Sequence, residues 1–132
     1  MTAATAPSFV LDASALLALC QAEAGAERVQ AILDRSSVSA VNWSEVLHKS
    51  IDRGVDIAGM TDDLGALGVT VEPFTVQDSE AAALLRPATR TAGLALGDRA
   101  CLSLALRMEA TAITADRTWL GIDAGVAIDL IR

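Results

Sequence analysis

Ser8-Phe9-Val10-Leu11-Asp12-Ala13-Ser14-Ala15-Leu16-Leu17-Ala18-Leu19-Cys20 sets two kinds of local order side by side. Ser8 to Leu11 is a short apolar run that stops at an acid, and Ala13 to Cys20 has the Ala- and Leu-rich composition of a helix. A strand, an acid and a helix in immediate succession are the start of a βα unit. The acid then falls at the carboxyl end of the strand, where an open parallel sheet presents its ligand crevice.

The rest of the chain repeats this alternation. A second helix follows Gly25, with Val29, Ile32 and Leu33 on one face. Ser36 to Ala40 reads as a brief strand containing Val38, and Asn42 opens a helix running to about Arg53, stopped by Gly54. Ile57 to Leu67 reads as helix, closed by Gly68 in the left-handed conformation common after helices. Val69 to Glu72 is a strand ended by Pro73, and Val76 to Arg86 is helical up to Pro87. A polar loop then carries Arg90 and Gly93. Asp98 to Arg107 is a strong helix, Ala112 to Thr114 a strand leading to Asp116, and Val126 to Ile131 a last strand. Four or five short strands alternating with helices predict an α/β protein in three α/β/α layers, with a mainly parallel central sheet covered on both faces.

The 132 residues are the length of one ordinary domain, and a single domain over 1–132 is expected, with Met1 to Ala6 frayed. Hydrophobic residues make up 52% and aromatics 3%, so the core must be built from Ala, Leu, Val and Ile. The formal charge of −7 argues against a broad basic surface for nucleic acid, because such binding rests on neutralised phosphates. Cys20 and Cys101 lie in apolar helical surroundings without zinc-ligand spacing and read as buried thiols of a cytoplasmic protein. Asp12 interrupts the only early hydrophobic stretch, which leaves neither a signal peptide nor a membrane span supported.

Four acids carry the chemical reading, and each has an ordinary explanation as well. Asp12 and Asp98 stand where helix N-caps stand, and Asn42-Trp43-Ser44-Glu45 has capping-box spacing. Asp116 suits a turn after a strand. Taken together they differ, because the carboxyl ends of parallel strands and the amino ends of the following helices share one sheet edge, so the four are expected to converge. Crowded carboxylates raise each other's pKa. Helix dipoles offset only roughly 0.3 to 1 kcal/mol each, so a cation is needed. An all-oxygen set selects Mg²⁺ or Mn²⁺ over zinc, and such an ion supports phosphodiester hydrolysis without a protein nucleophile.

Around the acids, Ser14 and Thr114 are each two residues from a proposed ligand and can orient it as supporting hydroxyls, or simply cap local backbone. Arg99 and Arg117 follow Asp98 and Asp116 directly, which puts guanidinium groups where a phosphate would lie, with Arg86 and Arg90 extending the fringe. Solvated surface charge is their ordinary reading. His48, a turn beyond Glu45, reads as a surface or half-buried residue. Trp43 and Trp119 are better suited to packing than to stacking on a base.

Four segments together resemble a known family: Val10 to Ala18, Ser39 to Val46, Gly93-Leu94-Ala95-Leu96-Gly97-Asp98-Arg99-Ala100-Cys101, and Thr114-Ala115-Asp116-Arg117-Thr118-Trp119. They are similar to PIN-domain ribonucleases, above all to VapC-type toxins of bacterial toxin-antitoxin pairs, in order and over nearly the whole chain. The resemblance implies a three-layer fold, Mg²⁺ or Mn²⁺ held at Asp12, Glu45, Asp98 and Asp116, and endonucleolytic cleavage of RNA. It implies a homodimer and a small cognate antitoxin whose basic tail enters the acidic groove, which would account for the −7. Two rivals stand beside it. An aspartyl-phosphate phosphotransfer domain would want an Asp where Ser14 stands and a buried Lys, whereas Lys49 lies on a helix. A non-catalytic binding module would use the acids only as caps.

Overall fold

The computed structural model describes residues 8–132; the fraying expected of Met1 to Ala6 lies outside them. Five strands, β1 (Phe9–Leu11), β2 (Ser36–Ser39), β3 (Thr70–Glu72), β4 (Thr111–Thr114) and β5 (Ile128–Leu130), form one sheet in the order β3-β2-β1-β4-β5. Every pairing is parallel, with Val10 opposite both Ser37 and Ala112. Helices α1 (Ala13–Cys20), α2 (Ala26–Gln30), α3 (Ala40–Asp52), α4 (Met60–Ala66), α5 (Val76–Leu84), α6 (Arg86–Thr89) and α7 (Leu96–Met108) complete the three-layer α/β/α architecture. No described helix is long and apolar enough to cross a membrane.

The two-residue period of the central strands divides the core. Leu11, Val38 and Ile113 pack with Leu16, Val29, Val46 and Leu64 on one face. Val10 and Ala112 pack with Leu102, Leu104, Ala105 and Trp119 on the other. Each fully buried aliphatic side chain contributes roughly 1.5 to 3 kcal/mol over exposure. This explains how β1, of only three residues, holds the middle of a sheet: its two inner side chains are wholly buried on opposite faces.

Several boundaries differ from the sequence reading. Helix α3 starts at Ala40, capped by Ser39, whose Oγ accepts from Val41 N at 3.2 Å. Asn42 therefore lies inside the helix, and the expected capping box with Glu45 does not form. Helix α7 starts at Leu96, so Asp98 is its third residue and not its cap; its Oδ2 accepts from Ala95 N at 3.0 Å. Helix α5 starts at Val76 as expected and ends at Leu84, two residues short of Arg86, and Pro87 sits in the first turn of the short α6, where its missing N–H costs no hydrogen bond. Cys20 is exposed at the end of α1, against the expectation of two buried thiols, while Cys101 is buried. Gly68 does take the left-handed conformation expected of it, at φ +98°, where a Cβ would collide with Asp34.

Candidate active site

The strand order changes direction at β1, which is flanked by β2 on one side and β4 on the other. At such a switch point the crossovers leave to opposite sides and open a crevice at the carboxyl edge. Asp12 follows β1 directly, and Asp116 follows β4 after Ala115.

Asp12 is almost fully buried, and three donors hold it. Its Oδ1 accepts from Ala15 N at 2.8 Å, which caps α1, and from Ser14 Oγ at 2.7 Å. Its Oδ2 accepts from Thr114 Oγ1 at 2.6 Å. Ala115 N donates to Ser14 Oγ at 2.9 Å, and Asp116 N donates to Thr114 Oγ1 at 3.0 Å. The two hydroxyls are thus relays that tie the first residues after β4 to the acid after β1. Burial nevertheless pushes the Asp12 carboxyl up to about 6 against the pull of these bonds, and the charge of Asp98 adds to the rise.

Asp98 is half-buried, and burial raises its pKa as well; the Ala95 N–H counteracts this, Asp116 raises it further, and Lys49 and Arg99 lower it. Asp116 Oδ1 accepts from Thr118 N and Oγ1 at 2.9 and 2.7 Å. Glu45 Oε1 accepts from Asn42 Nδ2 at 3.1 Å, and the same amide donates to Gly97 O at 2.9 Å. Helix α7 approaches α3 so closely that a Cβ on Gly97 would run into the Glu45 carboxylate. Beneath them lies Cys101, its thiol raised well above its ordinary value by burial and then by Asp12, Asp98 and Glu45.

The acids therefore share one neighbourhood, linked Asp12 to Asp98 to Asp116, with Glu45 across Gly97. They do not close on a point: among the described residues no three acidic, histidine or cysteine side chains stand within reach of one ion. Each acid is held by its own local donor, Asp12 by Ser14, Ala15 and Thr114, Asp98 by Ala95 N, Asp116 by Thr118 and Glu45 by Asn42. The donor set still fits a hard cation. Asp98 Oδ1, Asp116 Oδ2 and Glu45 Oε2 receive no protein hydrogen bond among the described residues, which leaves oxygen lone pairs on three of the four acids for such an ion.

The arginines divide. Arg99 turns to α5, donating to Ala82 O at 3.0 Å, which makes it a tie between helices. Arg117 is exposed, and its guanidinium donates to Arg132 O at 3.2 Å. His48 is exposed on α3. Trp43 and Trp119 are buried and unavailable for stacking on a base; Trp43 Nε1 donates to Thr61 Oγ1 at 2.9 Å. Sequence reasoning missed Asn42, which is buried with Oδ1 unpartnered and joins Glu45 to α7. Its signal was the cap-like spacing, which pointed to a different role.

A doubly wound parallel α/β/α protein with acids gathered at the switch-point edge of its sheet is the class these features define. The PIN domain family matches residues 9–125, and the chain belongs to it. No curated protein sequence matches the chain. Solved structures of the same fold include a chain of a toxin-antitoxin complex from Klebsiella pneumoniae, with TM-score 0.72 and 17% identity over 95% of this chain and 98% of that one. A chain of DNA-bound VapBC from Salmonella typhimurium gives 0.72 and 15% over 96% and 100%. A chain of FitAcB from Neisseria gonorrhoeae gives 0.59 and 21% over 93% and 97%.

Proposed function

We propose that this PIN-domain protein is a metal-dependent endoribonuclease acting as the toxin of a toxin-antitoxin pair. What supports the reading is the gathering of Asp12, Asp98, Asp116 and Glu45 near the carboxyl edge of the sheet. Mg²⁺, with Mn²⁺ as a substitute, is the ion this all-oxygen set would hold, and it supplies activation of water and polarisation of the phosphoryl group when bound. The residues' own parts follow from their contacts. Asp12 is fixed by Ser14, Ala15 and Thr114 and is the rigid member of the set. Glu45, oriented by Asn42, reaches from α3 to Gly97 at the start of α7. Asp98 comes from the first turn of α7 and Asp116 from the segment after β4, and Arg117, next to Asp116, would meet a phosphate at the rim.

The likeness to chains crystallised within toxin-antitoxin complexes supports a small antitoxin partner. A basic antitoxin segment would also balance part of the −7 charge. A homodimer and a cytoplasmic location belong to the same reading. Inducible expression of the chain, alone and with its neighbouring gene, followed by mapping of RNA ends, tests it. Growth arrest with new RNA ends, relieved by the neighbour and absent in Asp98→Asn, is expected. Arrest by Asp98→Asn equal to that of the parent would remove the nuclease reading and favour a binding module.

A further inference from the structure

Beside the acidic crevice, between α1 and α3, lies a cleft of about 390 Å³ that the four acids do not explain. Leu17 lines its apolar part and Ser14 its inner end, while Lys49, Arg53 and Arg132 line it with positive charge. Ser14 is the residue that donates to Asp12, so one side chain separates the cleft from that acid.

The charge in this cleft runs against the rest of the protein. Glu23 and Asp52 also line it, so three cations face two carboxylates on a chain whose net charge is −7. Arg132 is anchored, donating to Ala24 O at 3.1 Å with Glu23 Oε1 at 3.8 Å. Lys49 and Arg53 make no ion pair with any described residue. Elsewhere Arg28 faces Asp129, Arg35 lies over the Phe9 ring and Arg107 pairs with Asp78, while Arg86, Arg90, Arg99 and Arg117 also make no ion pair with a described residue but do not line the cleft. Two long cations without ion pairs, lining one cleft beside Ser14, are placed to take phosphate oxygens.

We infer that this cleft between α1 and α3 holds the single RNA strand flanking the bond to be cut, with Lys49 and Arg53 on its phosphates. The inference rests on the nuclease reading above. The cleft offers no aromatic platform, so the strand is held by its backbone and not by stacked bases. Binding there is accordingly tolerant of sequence and sensitive to salt.

The test is steady-state cleavage of a short, mixed-sequence, single-stranded RNA by the full chain over a series of KCl concentrations. The parent is compared with Lys49→Ala/Arg53→Ala and with the charge-matched control Arg28→Ala/Arg35→Ala. The cleft pair is expected to raise KM about tenfold at low salt with kcat within about twofold, and to flatten the log–log salt dependence of kcat/KM by roughly 1.4, about 0.7 for each lost contact. The control pair should change neither by a comparable amount. Equal effects of the two pairs would overturn the cleft while leaving the nuclease reading intact. So would unchanged KM with loss of antitoxin binding, which would assign the cleft to the protein partner. A parent that cleaves no RNA under any divalent ion would overturn both.

Discussion

Thr114 Oγ1 donates to Asp12 Oδ2 at 2.6 Å, joining the last residue of β4 to the cap of α1 across the switch point. The same oxygen accepts from Asp116 N, so one hydroxyl serves two of the four acids. Thr114→Val removes both bonds and strands a carboxylate oxygen in the core. It should cost about 2 to 3 kcal/mol in urea unfolding, whereas Thr114→Ser should cost less than about 1 kcal/mol. Equal losses in the two variants would mean that the methyl group, and not the hydroxyl, matters.

Asp12 gives stability a distinctive pH dependence. Its folded pKa, about 6, lies above the ordinary 3.8. The folded state therefore binds the proton more tightly than the unfolded chain. The corresponding stability is fully present below pH 3.8 and is lost as pH rises through about 6. Asp12→Asn keeps an acceptor for Ala15 N and a donor for Thr114 without the buried charge. Measured in chelator at neutral pH, it should be more stable than the parent by up to about 3 kcal/mol, and it should lose RNA cleavage. A variant less stable than the parent at neutral pH would show that the charged form is not penalised.

Asp78 has the opposite sign. Burial raises its carboxyl, but the Arg107 guanidinium and both the Thr75 N–H and hydroxyl lower it by more, leaving it below its ordinary value. It accepts from Arg107 Nε at 3.0 Å and from Thr75 N at 3.0 Å, fastening the start of α5 to the end of α7. That stability is present above the unfolded pKa and is lost as pH falls through the folded one. Asp78→Ala should cost about 2 kcal/mol at neutral pH and progressively less at pH values below about 4. A cost independent of pH would point to lost packing instead.

Gly97 is needed for the close approach of α7 to α3, since a Cβ there meets the Glu45 carboxylate. Gly97→Ala should destabilise the protein by about 1 to 3 kcal/mol and lower cleavage. In Gly97→Ala/Glu45→Ala the obstacle is gone, so the double variant should lose less stability than the sum of the single variants. Strict additivity in chemical denaturation would rule out the contact.

The parallel sheet, its order of elements and the left-handed Gly68 were readable because strand and helix periods alternate cleanly and glycine marks helix ends. The starts of α3 and α7 were not. Ser39 is a better-placed cap than Asn42, and Ala95 leads α7 without any capping side chain of its own, so Asp98 had to reach back. The acids were legible as residues on one edge but not as separate, locally tethered groups. That spacing depends on Asn42, Thr118 and the Ala95 N–H, whose partners only the folded chain brings together. Cys20 looked buried because the α1 composition is apolar throughout; it lies at the C-terminal end of the helix, where the chain turns outward.

In the function proposed above, these tethered carboxylates act together as a hard-cation site. Mn²⁺ binding followed by electron paramagnetic resonance, on the full chain and on Asp98→Asn, tests it without reference to any RNA. The account predicts bound Mn²⁺ that Mg²⁺ displaces and that weakens at least about tenfold in Asp98→Asn, the loss of one charged oxygen ligand. Parent and variant binding the ion equally, or the parent not binding it at all, would contradict it.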